Sequence, residues 1–271
     1  MRRDPRALLG LVLVALVLAA AGLGPLLWRV GPEVADFMAP LAGPSAKHPL
    51  GTDDLGRDTL ARMLAGARVS LLVGMGSVAG ACLLGGAIGL VCGFLRGWTD
   101  RVLMRTMDVL LAFPGILLAL GVTAALGASA TNAAIAIGLV NLPVFARIAR
   151  AQAMLVAAMD YVEAGRAIGR SPAAILRVHI LPNALSPILV QASLLLASSI
   201  ITESYLSFLG LGVQPPTPTW GNMLRDAVGF LDHSPWMAWF PGMAIFATVL
   251  GFNLLGDGLR DRLDPRAARG A

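Results

Sequence analysis

Charge is the scarcest commodity in this 271-residue chain: 14% of its residues are Asp, Glu, Lys or Arg, against about 25% in a soluble domain. Lysine occurs once, at Lys47, and the residues before it are Pro44-Ser45-Ala46. A phosphate-binding P-loop needs glycine directly before lysine and Ser or Thr directly after, so ATP hydrolysis of that kind is excluded. The two cysteines, Cys82 and Cys92, fall in one apolar run; they imply no disulfide framework and read as small buried residues. Histidine occurs three times, at His48, His179 and His233, too far apart in sequence to predict a metal site. No Ser/His/Asp arrangement predicts a nucleophile, and no catalytic residue is assigned.

What is present is apolar surface. Hydrophobic residues make up 56% of the chain and the mean hydropathy is +0.74. The charges cluster and leave long uncharged runs. About 20 apolar residues cross a hydrocarbon core as helix. Six spans are predicted, at 7–27, 69–95, 102–126, 132–148, 185–209 and 236–255. The third and fifth carry one acid each, Asp108 and Glu203. The first run follows Arg2, Arg3 and Arg6 and exceeds the length of a signal-peptide core, so it is expected to stay as an anchor.

Arginine sets the orientation. With the N-terminus in the cytoplasm, six spans return the C-terminus there. Inside segments then carry fifteen basic residues, including Arg2, Arg3, Arg96, Arg101, Arg166, Arg170, Arg177, Arg266 and Arg269, against six outside. That asymmetry is the positive-inside pattern. The net charge of +5 is therefore read as topology, and no nucleic-acid partner is expected.

Within the spans, Gly76 and Gly80 are four apart, as are Gly85, Gly89 and Gly93. They predict a small-residue helix face that admits close packing. Pro114 and Pro143 are expected to kink their helices. Asp108 and Glu203 are candidate pore or gate residues, since charge within a span usually faces a wet cavity; a structural hydrogen bond is the competing reading. Asp53, Asp54 and Asp58 do not fit a cation loop. Thr52 or Asp53 is read instead as the N-cap of an amphipathic outer helix bearing Leu60, Met63, Leu64 and Ala67. The external stretch 213–234, rich in proline and carrying Trp220, reads as a structured landing surface. Trp236 and Trp239 fit interfacial anchors.

One polar insert interrupts the apolar pattern. Asp160 to Ile168 reads as a short helix with acids at its start, closed by Gly169. Ser171 then reads as an N-cap with Pro172 at the first position and Ala173 following. The second helix is expected to run to about His179 and stop at Leu181-Pro182. A rigid helix–turn–helix of this kind suits mechanical coupling to a partner.

The run Glu163-Ala164-Gly165, Gly169 and His179-Ile180-Leu181-Pro182 resembles the EAA loop of ABC importer permeases. Gly165 stands where that family often has alanine, and His179 where it has isoleucine. Further blocks resemble the dipeptide/oligopeptide and nickel permease family of the C type. They are His48-Pro49-Leu50-Gly51-Thr52-Asp53-Asp54-Leu55-Gly56-Arg57-Asp58, Met107-Asp108-Val109 with Phe113-Pro114, the stretch from Leu206 to Pro216, Trp220-Gly221-Asn222-Met223 and Phe252 to Asp257.

The resemblance implies an all-α membrane protein with the type I ABC importer permease fold, six transmembrane helices and cytoplasmic termini. It implies an anchor helix at 1–30, an external segment at 31–68, and a five-helix core at 69–271 with a coupling loop at 151–184. The implied partners are a second homologous permease, two ABC ATPase subunits that hold ATP and magnesium, an external solute-binding protein, peptide cargo and the lipid bilayer of a prokaryotic cell membrane. The chain itself is then a non-catalytic pore subunit without a cofactor. Nickel chelate is an alternative cargo. The rival class is an ion-coupled secondary transporter or channel, with Asp108 and Glu203 as a proton relay; it leaves the rigid loop unexplained.

Overall fold

The computed structural model describes residues 5–263. It is all-helical: α1 (Pro5–Leu27), α2 (Thr59–Leu95), α3 (Gly97–Leu111), α4 (Gly115–Leu126), α5 (Ala130–Ala157), α6 (Asp160–Ala167), α7 (Pro172–Ile175), α8 (Leu181–Phe208), α9 (Trp220–Ala227) and α10 (Trp236–Leu263). A π-helical turn, Leu176–Ile180, joins α7 to α8, and a 3-10 turn, Val228–Phe230, follows α9. Arg2, Arg3, Arg266 and Arg269 lie outside the described residues.

Five helical stretches are long and apolar enough to cross a membrane: α1, α2, α5, the run Pro172–Phe208 and α10. The expected third span, 102–126, is not a continuous helix. It divides at Ala112–Pro114 into α3 and α4, which meet at 93°. Proline supplies the break: it has no N–H to donate and its ring clashes with the preceding turn. Counted as one bent span, the pair brings the total to six. On its own the 12-residue α4 would be about 18 Å long, short of a 30 Å hydrocarbon core.

The other boundaries shift for identifiable reasons. Helix α2 starts at Thr59, so the helix expected at the outer surface is the first part of this long span. Its cap is Asp58, whose carboxylate accepts the Ala61 N–H at 2.8 Å; neither Thr52 nor Asp53 serves. Asp53 instead accepts N–H bonds from Leu55 and Arg57 and pairs with the Arg57 guanidinium at 2.7 Å. Pro182 does not stop the second loop helix. The preceding turn widens, so that the Leu181 N–H reaches the Leu176 carbonyl five residues back. The chain then continues as α8, with Pro182 in its first turn, where the missing donor costs least.

Close packing holds the bundle together. A Cβ on Gly85, Gly89 or Gly93 would overlap the carbonyl oxygens of Leu142, Ala146 and Arg150, so α2 and α5 touch backbone to backbone. Gly76 and Gly80 face open space and take no part in that contact. Helix α1 lies against α10, where Gly10 meets Leu254 and Leu255, and Gly251 meets Leu13 and Val14. Leu72, Leu83 and Leu84 point outward with more than 60% exposure, as apolar side chains do on a lipid-facing surface.

Candidate functional site

The polar insert folds into two short helices on the end of the α2–α5 pair. Asp160 and Glu163 occupy the first turn of α6, where unpaired backbone N–H groups favour negative charge. Its end is a Schellman motif: the Gly169 N–H bonds the Arg166 carbonyl at 3.0 Å and the Arg170 N–H bonds the Gly165 carbonyl at 3.1 Å. That closure needs a left-handed residue, and Gly169 supplies φ +79°. One residue later the Ser171 hydroxyl accepts the Ala174 N–H at 3.3 Å and Pro172 opens α7. The helix–glycine turn–helix expected from sequence is therefore present up to Ile175.

The inner face of the insert is welded to the core. Val162, Ile175 and Ile180 are buried in one cluster with Leu90 of α2 and with Phe145, Ala149, Ala153 and Val156 of α5. Arg166 lays its guanidinium over the Phe94 ring, 5.6 Å from the centroid, which ties α6 to the end of α2. Gly165 is buried beneath His179. The imidazole in turn faces the Tyr161 ring at 5.6 Å and stands 3.4 Å from Nη1 of Arg170. Leu181 and Pro182 follow directly, and Asn183 donates to the His179 carbonyl at 2.6 Å.

The outer face is open. Glu163, Ala164, Ser171, Pro172 and Ala173 are all exposed. Ile168, at the turn between the helices, is 74% exposed. These small and apolar groups, with Arg170 and Arg177 also exposed on the insert, make a surface with buried anchors behind it. It can transmit a push without bending, because its attachments are packed side chains and not a tether.

The two acidic residues of the spans sit in different settings. Asp108, on α3, is about half exposed and accepts from Nη2 of Arg147 on α5 at 2.6 Å. Glu203, on α8, is fully buried; Ser207 donates to its Oε1 at 2.8 Å and Oε2 has no partner. They share no hydrogen-bond partner. Outside the spans, Asp58 binds Nδ1 of His48 at 2.8 Å and receives the Trp28 indole N–H at 3.1 Å, so the blocks around His48 form one buried polar knot.

Two elements escaped the sequence reading. Arg150 of α5 holds Asp100 of α3 through Nε and Nη2, at 2.5 and 2.7 Å, which fixes the bent helix against its neighbour. Asn141 of α5 donates to the Ser199 hydroxyl of α8 at 2.9 Å in the buried interior. A polar residue in the middle of an apolar run was the available signal for the second; nothing local marked the first.

The same fold occurs in a solved ABC transporter, the MetNI methionine transporter in inward-facing conformations, with a TM-score of 0.60 and 17% identity over 73% of this chain and 95% of that one. In sequence the chain is 43% identical to the dipeptide transport system permease protein DppC of Alkalihalophilus pseudofirmus, over 98% of this chain and 88% of the relative. It is 48% identical to the glutathione transport system permease protein GsiD of Pectobacterium atrosepticum, over 83% and 74%. It is 42% identical to the di/tripeptide transport system permease protein DppC of Pseudomonas aeruginosa, over 98% and 89%. Residues 85–269, which include the polar insert, match the family model for the inner membrane component of binding-protein-dependent transport systems, and the chain belongs to that family.

Proposed function

We propose that this multi-pass membrane protein forms half of the translocation pore of an ATP-driven peptide importer. A homologous permease supplies the other half. Two ATPase subunits dock on residues 160–182 from the cytoplasm, and an external solute-binding protein delivers cargo to the opposite face. ATP and magnesium are held by the ATPase subunits; this chain contributes no catalytic group. Both termini are cytoplasmic, in keeping with the arginine asymmetry.

The observation that carries this reading is the two-sided insert. Its inner face is buried against α2 and α5, and its outer face is exposed and shaped by Gly169, Ser171 and Pro172. In this reading an ATPase groove receives α7, and closure on ATP pushes the cytoplasmic ends of α2, α5 and α8 as one body. The pore then alternates between two states, biased by the differential contacts of ATP-bound and ATP-free ATPases. Peptide cargo is supported by the relatives, whose names specify dipeptide, di/tripeptide and glutathione.

Mild-detergent co-purification of the tagged chain from its native membrane, read by mass spectrometry, tests the assembly. Recovery of a second permease and P-loop ATPases is expected. A chain that is recovered alone and transports in liposomes without ATP overturns the proposal. Glu163→Lys and Gly169→Asp test the docking face: uptake should fall while the complex still hydrolyses ATP. Normal uptake in both variants removes the coupling role from this loop.

A further inference from the structure

Glu203 is buried completely, yet the groups around it are hydroxyls and not cations. Two chains of contact leave its carboxyl. In one, the Ser207 hydroxyl donates to Oε1 at 2.8 Å and accepts from the Val213 N–H at 3.4 Å. In the other, the Ser70 hydroxyl of α2 faces the same carboxyl and accepts the Trp220 N–H at 3.4 Å, at the first residue of α9. Along the Ser207 path the directions agree, since the hydroxyl gives its hydrogen to Glu203 and takes the Val213 N–H from outside; on the other side Ser70 takes the Trp220 N–H beside the same carboxyl.

The backbone crossing above this carboxyl is unusually close. A Cβ on Gly212 would overlap Ser207, and one on Gly221 would meet the Ser204 carbonyl oxygen at 2.5 Å and the Ser207 Cβ at 2.9 Å. On the other side the Trp220 indole donates to the Met63 carbonyl at 3.2 Å. Helix α9 and the loop before it thus rest directly on α2 and α8, and Glu203 lies under the crossing.

We propose that Glu203 is a positioning residue: through Ser207 and Ser70 it holds α9 and the 210–216 loop in register on α8 and α2, making the external surface rigid. This rests on the reading above that an external binding protein lands on the chain, here on α9. A buried carboxyl with an unpartnered oxygen carries a desolvation cost, and its remaining contacts tie it to one arrangement. The arrangement specified is the junction of two spans with an external helix.

The test uses the assembled importer in nanodiscs, with amide hydrogen exchange of residues 210–227 read by mass spectrometry. Glu203→Leu removes both paths at similar volume and should speed exchange in that segment about tenfold, leaving the α1–α10 contact unchanged. Glu203→Gln keeps an acceptor for Ser207 and should behave as the parent protein. Ser207→Ala should give a smaller rise in the same segment. Unchanged exchange in Glu203→Leu overturns the inference. If that variant fails to assemble, unchanged exchange in Ser207→Ala overturns it. ATPase stimulation by the loaded binding protein, relative to the basal rate, is measured on the same samples. A rise in exchange with full stimulation upholds the positioning role and removes α9 as the landing surface.

Discussion

Gly165 and His179 lie against each other: a Cβ placed on Gly165 would sit 3.7 Å from Nε2 of His179. These are the two positions at which the loop departs from the common pattern of its family, and the fold makes them one contact. The space accepts a methyl group at ordinary van der Waals distance, and the backbone there is helical. Gly165→Ala should therefore stabilise α6 by up to about 1 kcal/mol through helix propensity, with transport retained. Thermal unfolding of the purified complex, paired with uptake, checks it; a lower melting temperature would show that His179 has no room to yield.

The glycine stripe of α2 divides into two functional halves. Gly89→Ala forces its methyl into the Ala146 carbonyl and should cost about 1–3 kcal/mol by overpacking. Gly80→Ala meets nothing within 4 Å in the chain and should leave stability unchanged or slightly raised. Comparing the yields and melting temperatures of the two variants separates backbone contact from mere composition.

Those glycines also show what the sequence made legible. Spacing of four located a helix face, and the apolar runs located the spans, because both signals are local. Which glycines touch α5 depended on how α2 turns in the bundle, and no local pattern carries that. The sequence separates an outer helix bearing Leu60 to Ala67 from a span starting at residue 69, because Arg62 and Arg68 interrupt the uncharged run; the fold makes them one helix from Thr59. In the fold Arg62 is buried beside Asp53 and Asp226, and Arg68 donates to the carbonyls of Ala21 and Gly22. Partners distant in sequence permitted charge where a helix had to begin. The candidate loop was legible through its caps, Gly169 and Ser171. Its exit was not, because Pro182 reads as a stop and only the π turn before it lets the helix continue.

Asp100 and Arg150 give a prediction about the bent helix. Their bidentate pair is partly exposed, at 15% and 34% of the side chains, so its stabilisation is about 1 kcal/mol and not more. Asp100→Asn should loosen α3 from α5 without unfolding the bundle. Faster amide exchange in residues 97–111 is the expected sign, and the exchange of exposed Arg147–Asp108 partners should follow more weakly. Reversing the pair, Asp100→Arg with Arg150→Asp, should restore much of the protection; no recovery would mean that local context, not the pair, fixes α3.

Asp54 gives the external segment a pH dependence. Burial, followed by the neighbouring Asp53 charge, raises its carboxyl above the ordinary value, against the weaker pull of Arg57. A raised acid favours the folded state when protonated: that contribution is complete below the unfolded pKa of 3.8 and is lost as pH rises through the folded one. At neutral pH the ionised Asp54 is thus a local liability. Asp54→Asn removes it, so the variant should protect residues 51–58 better than the parent at pH 7. The advantage should shrink to nothing as the medium is acidified below the carboxylate range. Amide exchange of this segment across that pH series measures both arms. An advantage that persisted unchanged in acid would assign the effect to hydrogen bonding of the new amide, with charge playing no part.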